Sequence, residues 1–369
     1  MIDVCLPFFG NSIGGSQRSA FEIYKNLNKY KKIYFIVHSK GNFYNLLKKK
    51  NVNFYYLPIT NLKLNIKNEK IKYFFLIIVN FFKILNFLKK KKIKNIHGNT
   101  LIINLLWSIP SFFYSSKFIW HQRQFLSNSP WWKLIDLFAD KILANSTEVF
   151  KTIPKNVCKK KKIILQNFID TELEHDKKLS RIWLNNKINL RKKYFLIGYV
   201  GRIIKEKKVG DIIEAINNLP NKYIKRIFLV ICGHGNIDYK QELIGKINLY
   251  KLQNVRFLNH SNRIFKIYSA LDLAIMPSPE EPYGRTPREA MSQGTLVLAS
   301  NCSGHKQSVI NNINGYLFKK NNLKDLKNKI IYIMRSRSNS EILKNAKNYL
   351  KIKLKQKPLI IKQLLDIYK

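Results

Sequence analysis

The chain has 369 residues, 46% of them hydrophobic and 13% aromatic, which excludes a disordered polypeptide and supports packed cores. At roughly 150 residues per domain, that length predicts two domains. Sixty-seven Lys and Arg against 22 Asp and Glu give a net charge of +45 and point to an anionic partner, whether nucleic acid, acidic lipid or a phosphorylated substrate.

Ile2–Leu6 reads as a first strand that starts almost at the first residue, with no signal peptide ahead of it. Pro7, Gly10, Gly14 and Gly15 then make a loop, and Ser16 is placed to cap a helix from Gln17 to Asn28. A glycine pair between a first strand and its helix suits close backbone approach to a phosphate or sugar, and equally a flexible turn. Ile33–Val37 and Val52–Leu57 read as further strands. The aromatic run Tyr73–Leu88 falls short of the roughly 20 residues that span a bilayer, and Asn80, Lys83 and Asn86 interrupt it. Lys70, Lys72 and Lys89–Lys92 flank this run. Two readings stay open: a core helix with a solvated lysine collar, or an apolar face resting at headgroup depth on an anionic membrane. Ile93–Ile96 resumes the sheet, His97–Thr100 closes that strand, and Leu101–Ser108 is a buried helix. Phe118–Trp120 is a strand with His121 at its carboxyl end, the side where ligands bind in such sheets. A lone histidine there also serves as a hydrogen-bonded structural group, which is how His97 is read. Trp131–Asp140 is helical, and Lys141–Ser146 and Ile163–Leu165 are strands. Alternation of this kind predicts a doubly wound parallel sheet.

Glu172–Lys193 is polar and charge-rich and reads as an interdomain linker leading into a helix near 189–193. A second α/β cycle opens with the strand Tyr194–Val200, the turn Gly201-Arg202-Ile-Ile-Lys-Glu-Lys207-Lys208 and a helix through Asn218. Arginine and lysine at a helix entrance suit a pyrophosphate, one as a fork of donors and the other as a point charge. Ile227–Ile231 ends in Gly233-His234-Gly235, and Val255–Leu258 is a strand. Leu271–Met276 is a buried strand, after which Pro277, Pro279, Pro282 and Gly284 force a loop. Thr286 then looks like an N-cap, with Pro287 first in the helix and Glu289 closing a capping box, and the helix stops at Gly294. Glu281 and Glu289 frame this loop. Two acids facing one pocket, or a cap residue beside a solvated one, both fit the spacing. From Leu323 the chain reads as helical. Cys5, Cys158, Cys232 and Cys302 are scattered and read as free thiols in a reducing cytoplasm.

The run from Pro277 to Gly294 resembles the E-x7-E signature of retaining glycosyltransferase family 4. Gly201-Arg202…Glu206-Lys207 resembles that family's Gly-Arg…Glu-Lys motif, and Gly233-His234-Gly235 its Gly-x-Gly turn. Asn259–Tyr268, Ser303–Ser308 and Asn314–Phe318 extend the likeness over nearly the whole chain. The resemblance implies an α/β GT-B fold, two doubly wound Rossmann-like domains facing across a cleft. Residues 1–171 would form the acceptor-side domain, 172–193 the linker and 194–350 the nucleotide-sugar domain, with 351–369 returning as a helix to the first domain. It implies transfer of a sugar, with retention, from a nucleoside diphosphate sugar to a hydroxyl of a glycan or lipid-linked acceptor, in cell-surface polysaccharide or lipopolysaccharide synthesis. His121 would meet the donor sugar, with Gly14 and Gly15 near the donor phosphate and acceptor. Gly201 and Gly233 would lie beside the nucleotide, and Arg202 and Lys207 at the pyrophosphate. Glu281 and the Pro282-Tyr283-Gly284 backbone would hold the sugar, and Glu289 the ribose. No Asp-x-Asp pair stands where a nucleotide-bound metal is expected, so neither metal nor cofactor is predicted. The chain would work in the cytoplasm, peripheral on the inner face of an anionic membrane. The sequence departs from the family at Lys208 and Phe168, where glycine is usual, and at Gln307, where glutamate is common. Two competing readings are a basic nucleic-acid-binding protein, for which no reading motif is present, and a nucleotide-sugar 2-epimerase of the same fold.

Overall fold

Strands buried on both faces need apolar residues throughout, and Ile227–Cys232, buried at every position, shows why these runs lack alternation. A computed structural model describes residues 2–60, 69–126, 131–157, 161–169, 174–259, 261 and 263–369. Cys158, His260, Asn262, the start of the expected linker at 172–173 and the side chains of Lys70 and Lys72 lie outside the described residues. The chain divides into two compact units, Met1–Phe168 with Gln356–Lys369, and Ile169–Lys355.

Among the described residues the first unit holds seven parallel strands: β1 (Ile2–Phe8), β2 (Ile33–Val37), β3 (Phe54–Tyr56), β4 (Ile93–Gly98), β5 (Lys117–Gln122), β6 (Lys141–Ala144) and β7 (Lys162–Ile164). Their order is β3-β2-β1-β4-β5-β6-β7, so the topology reverses between β1 and β4. Pro7, expected to open the loop, stays in β1. The β4 register with β1 ends at Cys5, and beyond it only β2 flanks the strand, so a missing N–H is tolerated. The loop after β1 is locked to the loop after β2: the Gly10 N–H donates to Ser39 Oγ at 2.9 Å. A Cβ on Gly10 would stand 1.8 Å from the Ser39 carbonyl oxygen, so only glycine fits. The last helix, Lys357–Ile367, buries Ile360, Leu364 and Ile367 with Ile23 and Leu27 in this unit's core. The returning segment therefore begins at Gln356, and the preceding helix Asn339–Lys355 belongs to the second unit. Phe168 fills the same first-unit core.

The second unit holds β8 (Phe195–Val200), β9 (Ile227–Cys232), β10 (Val255–Leu258), β11 (Leu273–Met276), β12 (Leu296–Ser300) and β13 (Tyr316–Phe318). The order β10-β9-β8-β11-β12-β13 repeats the same plan, reversing between β8 and β11. The expected linker is corrected here. It contains the helix Lys177–Lys187, capped by Asp176, whose Oδ1 accepts from the Leu179 N–H at 2.7 Å. Leu184 and Ile188 pack into the second unit's core, and Arg181 pairs with Asp272 at 2.6 Å. Its polar composition is the outer face of an amphipathic helix. Asn189, at φ +53°, ends that helix, and no helix occupies 190–193.

Candidate functional site

Beyond β8 and β9 the chain keeps pairing into the loops. Gly201 N–H donates to the Cys232 carbonyl at 3.0 Å, and Ile203 N–H to that of His234 at 2.9 Å. A Cβ on Gly233 would stand 1.8 Å from the Gly201 oxygen, and one on Gly235 2.0 Å from the Ile203 oxygen. Backbone approach is thus what the Gly-x-Gly spacing serves. The Tyr199 hydroxyl, held protonated by burial and by nearby Glu281, donates to the Arg202 carbonyl at 2.6 Å and fixes the turn. The Arg202 side chain stands exposed at that turn.

A single 3-10 turn, Lys205–Lys207, follows. Lys207 Nζ reaches across the reversal point of the sheet to Glu281 Oε2 at 2.5 Å and lies 3.5 Å from Ser278 Oγ. Both side chains of the ion pair are about three-quarters or more covered. Sequence reasoning singled out each residue without pairing them. The pairing joins the loop after β8 to the loop after β11, the carboxyl-end position where open α/β sheets bind ligands.

The capping box is not formed. The helix runs Arg285–Ser292 and is entered from Gly284, at φ +70°, with no side-chain cap. Thr286 is its second residue and Glu289 stands a full turn in. Close packing sets this entry: a Cβ on Gly284 would lie 2.7 Å from the Gly304 oxygen, and one on Gly304 1.9 Å from the Glu281 oxygen. Pro287 falls in the first turn, where no N–H is needed. Glu289 is only 5% exposed, and Arg285 Nε lies 3.5 Å from its Oε1. Arg288 is a residue that sequence reasoning missed. Its buried guanidinium lies 4.4 Å from the centre of the Tyr283 ring and donates to the carbonyls of Tyr283, Gly284 and Gln307 at 3.2 to 3.4 Å. Ser308 Oγ adds a bond to the Gly284 carbonyl at 3.1 Å. The Pro282-Tyr283-Gly284 backbone is thereby held rigidly from below.

In the first unit the helix Gly15–Leu27 starts one residue before Ser16, so Ser16 does not cap it. Gln17 does that work: its Oε1 accepts from Gly14 N–H at 3.1 Å and from Ser16 Oγ at 2.8 Å. His121, at the carboxyl end of β5, is fully buried, with Nδ1 2.9 Å from His97 Nε2. His97 Nδ1 lies 2.6 Å from the Tyr368 hydroxyl. Burial first, and then the Arg123 guanidinium, hold both imidazoles well below the usual histidine range. Arg123 is fixed by Asn99 Oδ1 and Asn167 Oδ1, each at 2.6 Å. Among the described residues no three His, Cys, Asp or Glu side chains gather to hold a metal ion.

Residues 182–350 match the family model described as glycosyl transferases group 1. The capsular polysaccharide biosynthesis glycosyltransferase CapM of Staphylococcus aureus is 25% identical over 221 residues, covering 57% of this chain and 56% of that protein. The uncharacterized glycosyltransferase MJ1069 of Methanocaldococcus jannaschii is 30% identical over 230 residues, covering 59% and 56%. The match thus spans a little over half the length of each of these two relatives. The crystal structure of Anabaena Alr3699/HepE in complex with UDP-glucose aligns over 99% of both chains with a TM-score of 0.85 at 20% identity. WaaG, a glycosyltransferase involved in lipopolysaccharide biosynthesis, aligns over 99% of both at 0.73 and 15%. These neighbours show the fold, two Rossmann-like domains of the GT-B class. The segment that matches the glycosyl transferases group 1 model, residues 182–350, fills most of the second unit.

Proposed function

We propose that the chain is a retaining, metal-independent family 4 glycosyltransferase. It would move a sugar from a nucleoside diphosphate sugar to a hydroxyl of a glycan or lipid-linked acceptor, in cell-surface polysaccharide or lipopolysaccharide synthesis. The observation that carries this is the Lys207–Glu281 pair at the reversal point of the second sheet, with buried Glu289 one loop away. Support comes from HepE, solved with UDP-glucose, and from CapM and WaaG, which act in capsule and lipopolysaccharide synthesis. Arg202 and Lys207 meet the charge that grows on the leaving diphosphate, where fixed positive groups act most strongly in the transition state. Glu289 accepts hydrogen bonds from the ribose hydroxyls, which two carboxylate oxygens do well. Glu281 and the rigid 282–284 backbone hold the sugar, and same-face attack lets the departing phosphate take the acceptor proton. The test is release of nucleoside diphosphate from a panel of sugar nucleotides in excess chelator, with NMR of the product's anomeric carbon. Turnover with retained configuration is expected. Activity abolished by chelator and restored by Mg²⁺ or Mn²⁺, or an inverted product, would overturn the corresponding part.

A second element of the proposal is membrane docking by the first unit. The helix Glu69–Lys91 buries Leu76, Ile77, Ile84 and Leu88, so the core-helix reading accounts for one face. Its other face exposes Phe74 (55%), Ile78 (51%) and Phe82 (71%), beside exposed Phe112 and Phe113 of the helix Leu101–Tyr114. Among the described residues no helix is long and apolar enough to cross a membrane. An in-plane apolar face ending in Lys89–Lys92 suits the headgroup layer of an anionic bilayer, with about 1 kcal/mol from each lysine near the surface. Co-sedimentation with vesicles containing anionic lipid should fall with added salt and in Lys89–Lys92→Gln. Binding indifferent to lipid charge would contradict it.

A further inference from the structure

The family resemblance implies for His121 only a place near the donor sugar. Its surroundings define more than its position. Three buried side chains form one hydrogen-bonded line, Tyr368 to His97 at 2.6 Å and His97 to His121 at 2.9 Å, and the line ends at His121 Nε2. That nitrogen is buried and has no hydrogen-bond partner among the described residues. Tyr368 is held at both of its polar ends from one face of β4. Asn95, two residues before His97, donates from Nδ2 to the Tyr368 carbonyl at 3.2 Å, while His97 meets the hydroxyl.

The direction of the line follows from counting protons. Burial pushes the Tyr368 phenol far up, so the oxygen keeps its hydrogen. Its hydrogen-bond partner among the described residues is His97 Nδ1, and a buried O–H left without an acceptor is costly. Nδ1 of His97 therefore accepts. A neutral imidazole carries one N–H, so the His97 proton sits on Nε2 and is donated to His121 Nδ1. The His121 proton is then left on Nε2, the unpartnered atom. The opposite polarity would strand the phenol hydrogen in the core.

We propose that Tyr368 and His97 are positioning residues that hold His121 as its Nε2–H tautomer. His121 is then a neutral hydrogen-bond donor to a ligand oxygen at the carboxyl end of β5, and not a general base. A donor of this kind suits a sugar hydroxyl or ring oxygen, and that identification rests on the glycosyltransferase reading. The tautomer itself does not.

Long-range imidazole NMR on protein labelled with ¹⁵N-histidine tests the assignment without substrate. In the wild type, His121 is expected to show a protonated Nε2 and a bare Nδ1. Tyr368→Phe removes one oxygen and keeps the ring, and should leave His121 as a mixture of tautomers with its two nitrogen signals drawn together. A hydroxyl that only adds stability would lower Tm and leave the imidazole signals alone. A proton on Nδ1 of His121 in the wild type, or unchanged signals in Tyr368→Phe, would overturn the proposal. On the activity side, His121→Gln keeps an N–H near Nε2 and no basic nitrogen, so it should retain about tenfold more turnover than His121→Ala, the worth of one hydrogen bond. Equal loss in both would contradict the donor role. A folded wild type with the expected tautomer and no turnover of any sugar nucleotide would overturn the transferase reading alone.

Discussion

Lys208 holds a left-handed backbone, φ +53°, between the 3-10 turn and the helix Val209–Asn217. That explains why glycine suits the position. Lys208→Gly should relieve strain and raise stability by about 0.5–1 kcal/mol, the larger freedom of glycine in the unfolded chain offsetting part of the gain. A denaturant midpoint that falls in this variant would contradict the account. Glu289 changes meaning in the structure: it is a buried carboxylate facing Arg285, not a cap. Glu289→Gln should therefore raise the donor KM with little change in helix stability, and an unchanged KM would remove it from the ribose. The two glutamates were legible because loop, proline and glycine signals surround them. The Lys207–Glu281 contact was not, since 74 residues separate the partners and no local pattern encodes such a pair. Arg288 was hidden for a related reason. In a chain this basic, one more arginine carries no signal until its carbonyl partners are seen.

At the scale of elements, the sequence period distinguishes faces only when one face is polar. The helix Glu69–Lys91 is apolar on both sides over residues 73–82, so sequence alone left core and surface readings open. The structure assigns Ile84 to the core and Phe82 to solvent. Ile84→Ala should destabilise the first unit by about 2–5 kcal/mol. Phe82→Gln should change stability by less than about 0.5 kcal/mol while weakening vesicle binding. Equal thermal shifts in both variants would contradict this assignment of faces. The segment 177–187 shows the opposite error, because a strongly charged outer face concealed a helix whose buried stripe is only Ser180, Leu184 and the adjoining Ile188.

On the scale of the whole molecule, two parallel sheets were legible from the alternation of apolar runs and glycine turns. The helix Asn42–Lys49 was not, being short with only Phe43 and Leu47 buried. The first unit also carries a pH dependence. His38 is neutral in the fold, its Nδ1–H donating to the Leu57 carbonyl at 2.7 Å and its Nε2 accepting from Trp107 at 2.9 Å. Burial, with a smaller push from Lys83, brings it down to about 4. His97 and His121 are depressed as well, so all three bind protons more readily in the unfolded chain. Stability from their neutrality is complete above about pH 6.5 and is lost as pH falls below it, by up to about 1.4 kcal/mol per pH unit for each histidine. Four of the five tryptophans lie in this unit, so fluorescence follows it directly. Flat stability between about pH 6.5 and 5 would contradict the buried histidine network. The central claim, that Lys207 and Glu281 mark a sugar-nucleotide diphosphate site, is tested most directly by nucleoside diphosphate release. A donor panel is offered to the wild type and to Lys207→Ala under identical conditions. The account predicts release from at least one donor by the wild type and turnover lower by about a hundredfold or more in the variant. No release from any donor by folded wild type, or equal release by both proteins, would contradict it.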